Sequence, residues 1–77
     1  MASMGPISRR ELIKRLSALA FDGPFPGSRH DYMRRPTDQL KVPLPRADAK
    51  SREIGVELQK RILREIGVST KEWLALG

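Results

Sequence analysis

The chain has no cysteine and only one histidine, His30. The first absence excludes disulfide staples, thiolate zinc sites and a thiol nucleophile together. The second confines imidazole chemistry to a single position. Long apolar runs are also missing, so no stretch could span a membrane as a helix. Acidic residues are in deficit, with 9 Asp and Glu against 15 Lys and Arg, which leaves a formal charge of +6. In a chain of 77 residues that imbalance makes a positive field that attracts polyanions, nucleic acid first. So short a chain buries only a modest core. Without staples it stands on packing alone or on surface borrowed from a partner.

Ser8-Arg9-Arg10-Glu11-Leu12 faintly resembles a twin-arginine export signal, but Lys14 and Arg15 interrupt the apolar region such a signal needs. The chain is therefore expected to be cytoplasmic. Residues 1–6 read as a disordered leader and 7–77 as one domain.

Helix signals are strong at both ends. Ser8 and Glu11 form a capping-box pattern, with Ile7 placed to staple against Leu12. Leu12, Ile13, Leu16, Leu19 and Ala20 then recur at helical spacing until the turn signal Asp22-Gly23-Pro24. Later, Ile54, Leu58, Ile62 and Ile66 fall four apart and mark a second amphipathic helix that Gly67 closes. Ser69 and Glu72 repeat the capping pattern ahead of a short helix carrying Trp73, Leu74 and Leu76.

Between the helices the character changes, and Pro24, Pro26, Pro36 and Pro43 admit only short strands. Phe25 sits in a possible edge strand. Ser28 to Arg34 reads as a strand with Ser28, His30, Tyr32 and Arg34 on one face and Arg29, Asp31 and Met33 on the other. Arg35-Pro36-Thr37-Asp38 turns the chain into a strand from Gln39 to Leu44, where Leu40, Val42 and Leu44 alternate with polar or proline positions. Pro45 to Ser51 reads as a loop. The expectation is an α+β domain in the order α-β-β-β-α plus a short C-terminal helix. Its antiparallel meander would be covered by helices on one face and left open on the other.

His30 is the one candidate for acid–base work, because imidazole ordinarily titrates near neutral pH. On the expected strand it would share a face with Tyr32, an aromatic platform, and Arg34, a cation, which suits a nucleotide. Gly27 and Ser28 allow close backbone approach and offer an amide and a hydroxyl to phosphate oxygens. Arg29 and Lys41 add positive charge. RNA cleavage without a metal needs little more: a base takes the proton from the ribose 2'-hydroxyl, and cations hold the charge that develops on the phosphate. DNA, lacking that hydroxyl, would be spared. Metal-dependent hydrolysis fits worse, since the acids are scattered or occupy helix caps and helix surfaces, so neither metal nor cofactor is expected. A Ser28–His30 nucleophile pair lacks a third group to orient it.

Several segments occur together in a familiar order: Ile7-Ser8-Arg9-Arg10-Glu11-Leu12-Ile13-Lys14-Arg15-Leu16, then Gly27-Ser28-Arg29-His30, then Lys41-Val42-Pro43, then Leu58 to Ser69. This arrangement, from Ile7 to Ser69, is similar to the HicA (YcfA-like) family. The resemblance implies an mRNA interferase toxin of a toxin–antitoxin pair, with a fold like that of a double-stranded-RNA-binding domain (dsRBD-like). It also implies His30 as the catalytic residue, mRNA as substrate and a HicB-type antitoxin covering the site. The chain departs from many relatives in two places. Arg29 stands directly after the Gly-Ser pair where some carry the histidine, and Leu44-Pro45-Arg46 replaces a second histidine after Val-Pro. Arg46 or Lys41 would then supply the charge.

Two other readings remain open. A domain of the same fold can grip RNA without cutting it. Leu58 to Leu76 also loosely suits a helix-turn-helix that binds DNA, although Trp73, Leu74 and Leu76 look like core or partner-contact residues. The basic face formed by Lys60, Arg61 and Arg64 would suit either RNA phosphates or an acidic protein partner.

Overall fold

The computed structural model describes residues 4–44 and 53–76. The chain runs β1 (Ile7–Ser8), α1 (Arg9–Ala18), β2 (Asp22–Phe25), β3 (Tyr32–Arg35), β4 (Leu40–Pro43), β5 (Glu53–Ile54), α2 (Val56–Ile66) and α3 (Thr70–Ala75). Strands β2, β3 and β4 form an antiparallel meander in that spatial order, and β1 pairs with β5 in a separate two-stranded ribbon. This is an α+β fold with one three-stranded antiparallel sheet.

Alternation along the strands decides which face is covered. Met33 and Val42 are register partners, and both are fully buried. They join Leu12 and Leu16 of α1, Ile62, Leu63 and Ile66 of α2, and Trp73 of α3 in a single apolar cluster. The residues between them, Tyr32, Arg34, Lys41 and Pro43, are half-buried or exposed. One face of the sheet thus closes on the helices and the other stays open, as the sequence pattern predicts.

Ser8 caps α1 by accepting from the Glu11 amide at 3.0 Å. Glu11 does not complete the reciprocal box. Its carboxylate takes the Arg15 Nε–H at 2.9 Å instead. The helix ends at Ala18, a little before the expected point, because Ala20 turns to a left-handed φ of 70° and sends Phe21 into the core. Gly67 closes α2 at φ 75°, and Ser69 caps α3 by accepting from the Glu72 amide at 3.2 Å.

Several sequence expectations need correction. The turn read at Asp22-Gly23-Pro24 is the start of β2, and the β1–β5 ribbon has no counterpart in the expected order. Ile54 belongs to β5, not to α2; Gly55, extended at φ −68° and ψ 161°, separates the two and caps the helix. The strand expected over residues 28–34 begins only at Tyr32, so Ser28, Arg29 and His30 lie in the β2–β3 loop. The cause is Gly27, where the chain bends so tightly that a Cβ would run into the backbone carbonyl of His30. At the N-terminal end, Met4 packs on the core and the Gly5 carbonyl accepts from Gln59, although the sequence assigns both to a leader. Residues 1–3 and the loop expected over Pro45 to Ser51, with Arg46, fall outside the described residues.

Candidate nucleic-acid interface

The β2–β3 loop and the open sheet face meet in one cleft of about 430 Å³, lined by Gly27, Ser28, Arg29, His30, Tyr32, Lys41 and Pro43. Six of the eight site residues read from the sequence therefore come together. Arg34 lies further along β3, with its guanidinium carbon 5.8 Å from the centroid of the Phe25 ring. Arg46 cannot be placed, since it is outside the described residues.

The strands position two of the lining side chains. Tyr32 projects from the first position of β3, opposite Phe25 on one side and Pro43 on the other. Lys41 projects from β4 and holds its ammonium 5.1 Å from the centre of the Tyr32 ring. His30 is exposed in the loop, and its ring makes no hydrogen bond with the described residues. The strand geometry that would align it with Tyr32 and Arg34 is replaced by loop geometry, yet the loop folds back over the same patch. Asp31 tethers it in two ways. Its carboxylate pairs with the Arg9 guanidinium at the start of α1, at 3.1 Å, and its carbonyl accepts from the Leu44 amide at 2.8 Å. The loop is thereby held between a helix start and the end of β4.

Four of the described cations are ion-paired, and those of the cleft, like several on the helix surfaces, are not. Arg9, Arg15, Arg35 and Arg61 are paired with Asp31, Glu11, Asp38 and Glu65 respectively. Arg29, Arg34 and Lys41 have no carboxylate partner among the described residues. Arg34 reaches only the Gln39 side-chain oxygen at 3.5 Å, and its Nε lacks a partner among those residues. Among the described residues no carboxylate forms an ion pair with these three cations, although Asp22 stands opposite Arg34 in register, and a phosphate arriving there meets unused donors.

Paired groups elsewhere titrate accordingly. The Arg35 side chain, hydrogen-bonded to Asp38, holds that carboxyl below the usual carboxylate range, and Arg35 itself is raised in return. Arg15 does the same to Glu11 by donating to it. Neither pair lines the cleft. Among the described residues, no three His, Cys, Asp or Glu side chains gather as a metal site would require. No helix there is long and apolar enough to cross a membrane.

The α2–turn–α3 segment does not present a free recognition helix. α3 has 6 residues, and Trp73 is completely buried with its indole N–H donating to Gln59 Oε1 at 2.9 Å. The Arg15 guanidinium lies over that indole, 5.4 Å from its centroid. Two residues of interest escaped the sequence reading. Phe25 is one; the signal for it is its register opposite Tyr32. Pro43 is the other, and its place in the alternation of β4 marks it as facing the open side.

Comparison with protein-family models, with curated proteins and with solved structures yields no match for the chain.

Proposed function

We propose that the protein is an endoribonuclease in which His30 acts as general base on a ribose 2'-hydroxyl. One observation carries this reading: the molecule's sole imidazole shares a cleft with Arg29 and Lys41, two cations lacking acid partners among the described residues. The imidazole takes the hydroxyl proton, and the 2'-oxygen attacks the adjacent phosphorus. Arg29 and Lys41 hold the negative charge that grows on the phosphate oxygens, with Gly27 and Ser28 contributing an amide and a hydroxyl. No second imidazole exists in the chain, so the departing 5'-oxygen takes its proton from solvent.

The motif order similar to the HicA family supports the same reading. It extends it to an mRNA interferase with a dsRBD-like fold, acting in the cytoplasm and silenced by a HicB-type antitoxin that covers the cleft. The open sheet face, with its unneutralised cations, is suited to an acidic partner of that kind.

The test is incubation of the pure protein and of a His30→Ala variant with a long RNA in the presence of EDTA. The expected result is fragmentation by the wild type and a loss of at least a hundredfold in rate in the variant, the usual scale of removing a positioned acid–base group. Circular dichroism should show the two folds to be alike, since the imidazole is exposed. Intact RNA in both reactions would leave the domain as an RNA-binding module.

A further inference from the structure

We propose that Phe25 and Tyr32 form a stacking platform for unpaired nucleobases, so that the substrate class is single-stranded rather than duplex RNA. This rests on the RNA reading of the cleft and specifies what enters it.

The chain has two Phe, one Tyr and one Trp. Phe21 and Trp73 are buried at 3% and 0% exposure, where a small core gains most from them. The other two are left half-buried on the side of the sheet that the helices do not cover. Cross-strand register sets them directly opposite each other, with centroids 5.7 Å apart and planes tilted by 39°. A cation sits over each ring, Arg34 over Phe25 and Lys41 over Tyr32. Arg34 and Lys41 are themselves register partners. The open face thus carries an aromatic pair and, two residues further along β3, the cations Arg34 and Lys41, with Asp22 opposite Arg34 on β2.

Bases stack on aromatic faces irrespective of sequence, while phosphates seek cations, so this juxtaposition matches a single strand. In a duplex the base faces are already stacked on one another, and only grooves and backbone remain to be read. Tyr32 and Lys41 also line the cleft that contains His30. A base resting on Tyr32 would therefore bring its neighbouring ribose and phosphate to the imidazole. A cross-strand aromatic pair also stabilises a sheet, so the test must separate binding from folding.

The probe is a fluorescein-labelled 2'-O-methyl oligoribonucleotide, unpaired or annealed to its complement, with binding read by anisotropy. Its blocked 2'-oxygens prevent cleavage by the mechanism above, so the result does not depend on His30. The wild type should bind the unpaired strand at least tenfold more tightly than the duplex. Tyr32→Leu and Phe25→Leu should each weaken unpaired binding about tenfold, leave duplex binding unchanged and melt cooperatively. Tyr32→Phe should bind as the wild type does. If Tyr32→Leu fails to fold, Phe25→Leu on the edge strand gives the decision. Equal affinity for duplex and single strand, or leucine variants that bind normally, would overturn the platform, as would binding of an acidic peptide but no RNA. A protein that binds in the expected way yet leaves ordinary RNA intact would keep the platform and lose the nuclease. His30-dependent cleavage with indifferent leucine variants would do the reverse.

Discussion

A primary amide in an apolar core must satisfy both its oxygen and its nitrogen, and Gln59 does so. Its Oε1 accepts from the Trp73 indole at 2.9 Å, while its Nε2 donates to the carbonyls of Gly5 at 2.8 Å and Ile54 at 3.0 Å. One fully buried side chain thereby ties α2 to α3, to β5 and to the segment before β1. Replacing it with leucine leaves an indole N–H and two carbonyls without their partner. We expect Gln59→Leu to lower stability by about 1–3 kcal/mol, measured by urea unfolding. A loss well below that range would mean water or a shifted backbone replaces the amide. Nothing local marks this glutamine as internal, because its partner lies 14 residues away. The helical stripe of Leu58, Ile62 and Ile66 was legible, but a polar residue beside it reads as surface until the tryptophan is placed.

Among the elements, the β2–β3 loop carries the most weight, since it holds His30 without being regular structure. Its shape depends on Gly27, whose missing side chain makes room for the His30 carbonyl. Gly27→Ala must push the loop outward. The expected outcome is a rate of RNA cleavage reduced at least tenfold with little loss of secondary structure, read by a cleavage assay beside circular dichroism. An alanine variant of full activity would show that the loop is not the positioning element. The β3–β4 turn is fixed differently. Arg35 grips Asp38 through two bonds of 3.0 and 2.7 Å and donates to the Ile66 carbonyl at the end of α2.

The Asp38 and Glu11 carboxyls are both held below the usual carboxylate range by their arginine partners. A depressed folded-state pKa contributes stability that is fully present above the unfolded-state value and disappears as pH falls through the folded one. Thermal stability should therefore decline below about pH 5, and Asp38→Asn should flatten part of that decline. An unchanged acid profile in the variant would remove Asp38 from the account. Helices were readable from capping residues and periodicity, whereas two of the element errors arose where a regular spacing was carried into a segment that a glycine bends or caps. The four-residue stripe reached back across Gly55 to Ile54, and the two-residue alternation ran back to Ser28, into the bend that follows Gly27. Spacing carries no information about where the backbone departs from the geometry that gives the spacing meaning.

At the scale of the whole molecule, some cations are used to hold the fold and others are left for a ligand. Arg9, Arg15 and Arg35 are drawn into ion pairs that hold a helix start, a helix and a turn together, while Arg29, Arg34 and Lys41, like Arg10, Arg64 and the helix-surface lysines, have no acid partner among the described residues. Net charge was visible in the sequence, but this division was not, since it depends on which acids the fold brings to which bases. Binding of single-stranded RNA should weaken linearly on a log–log plot against salt. Lys41→Ala should reduce the magnitude of that slope by about 0.7, the contribution of one phosphate contact. An unaltered slope would place Lys41 away from the phosphates.

The most direct test of the central claim is the chemistry of the cut ends. Attack by the 2'-oxygen leaves a 2',3'-cyclic phosphate on one fragment and a 5'-hydroxyl on the other, which mass spectrometry of a defined oligoribonucleotide distinguishes. Those termini, absent with His30→Ala, are the predicted result. Fragments bearing a 5'-phosphate and a 3'-hydroxyl, or the same cyclic ends from the variant, would contradict it.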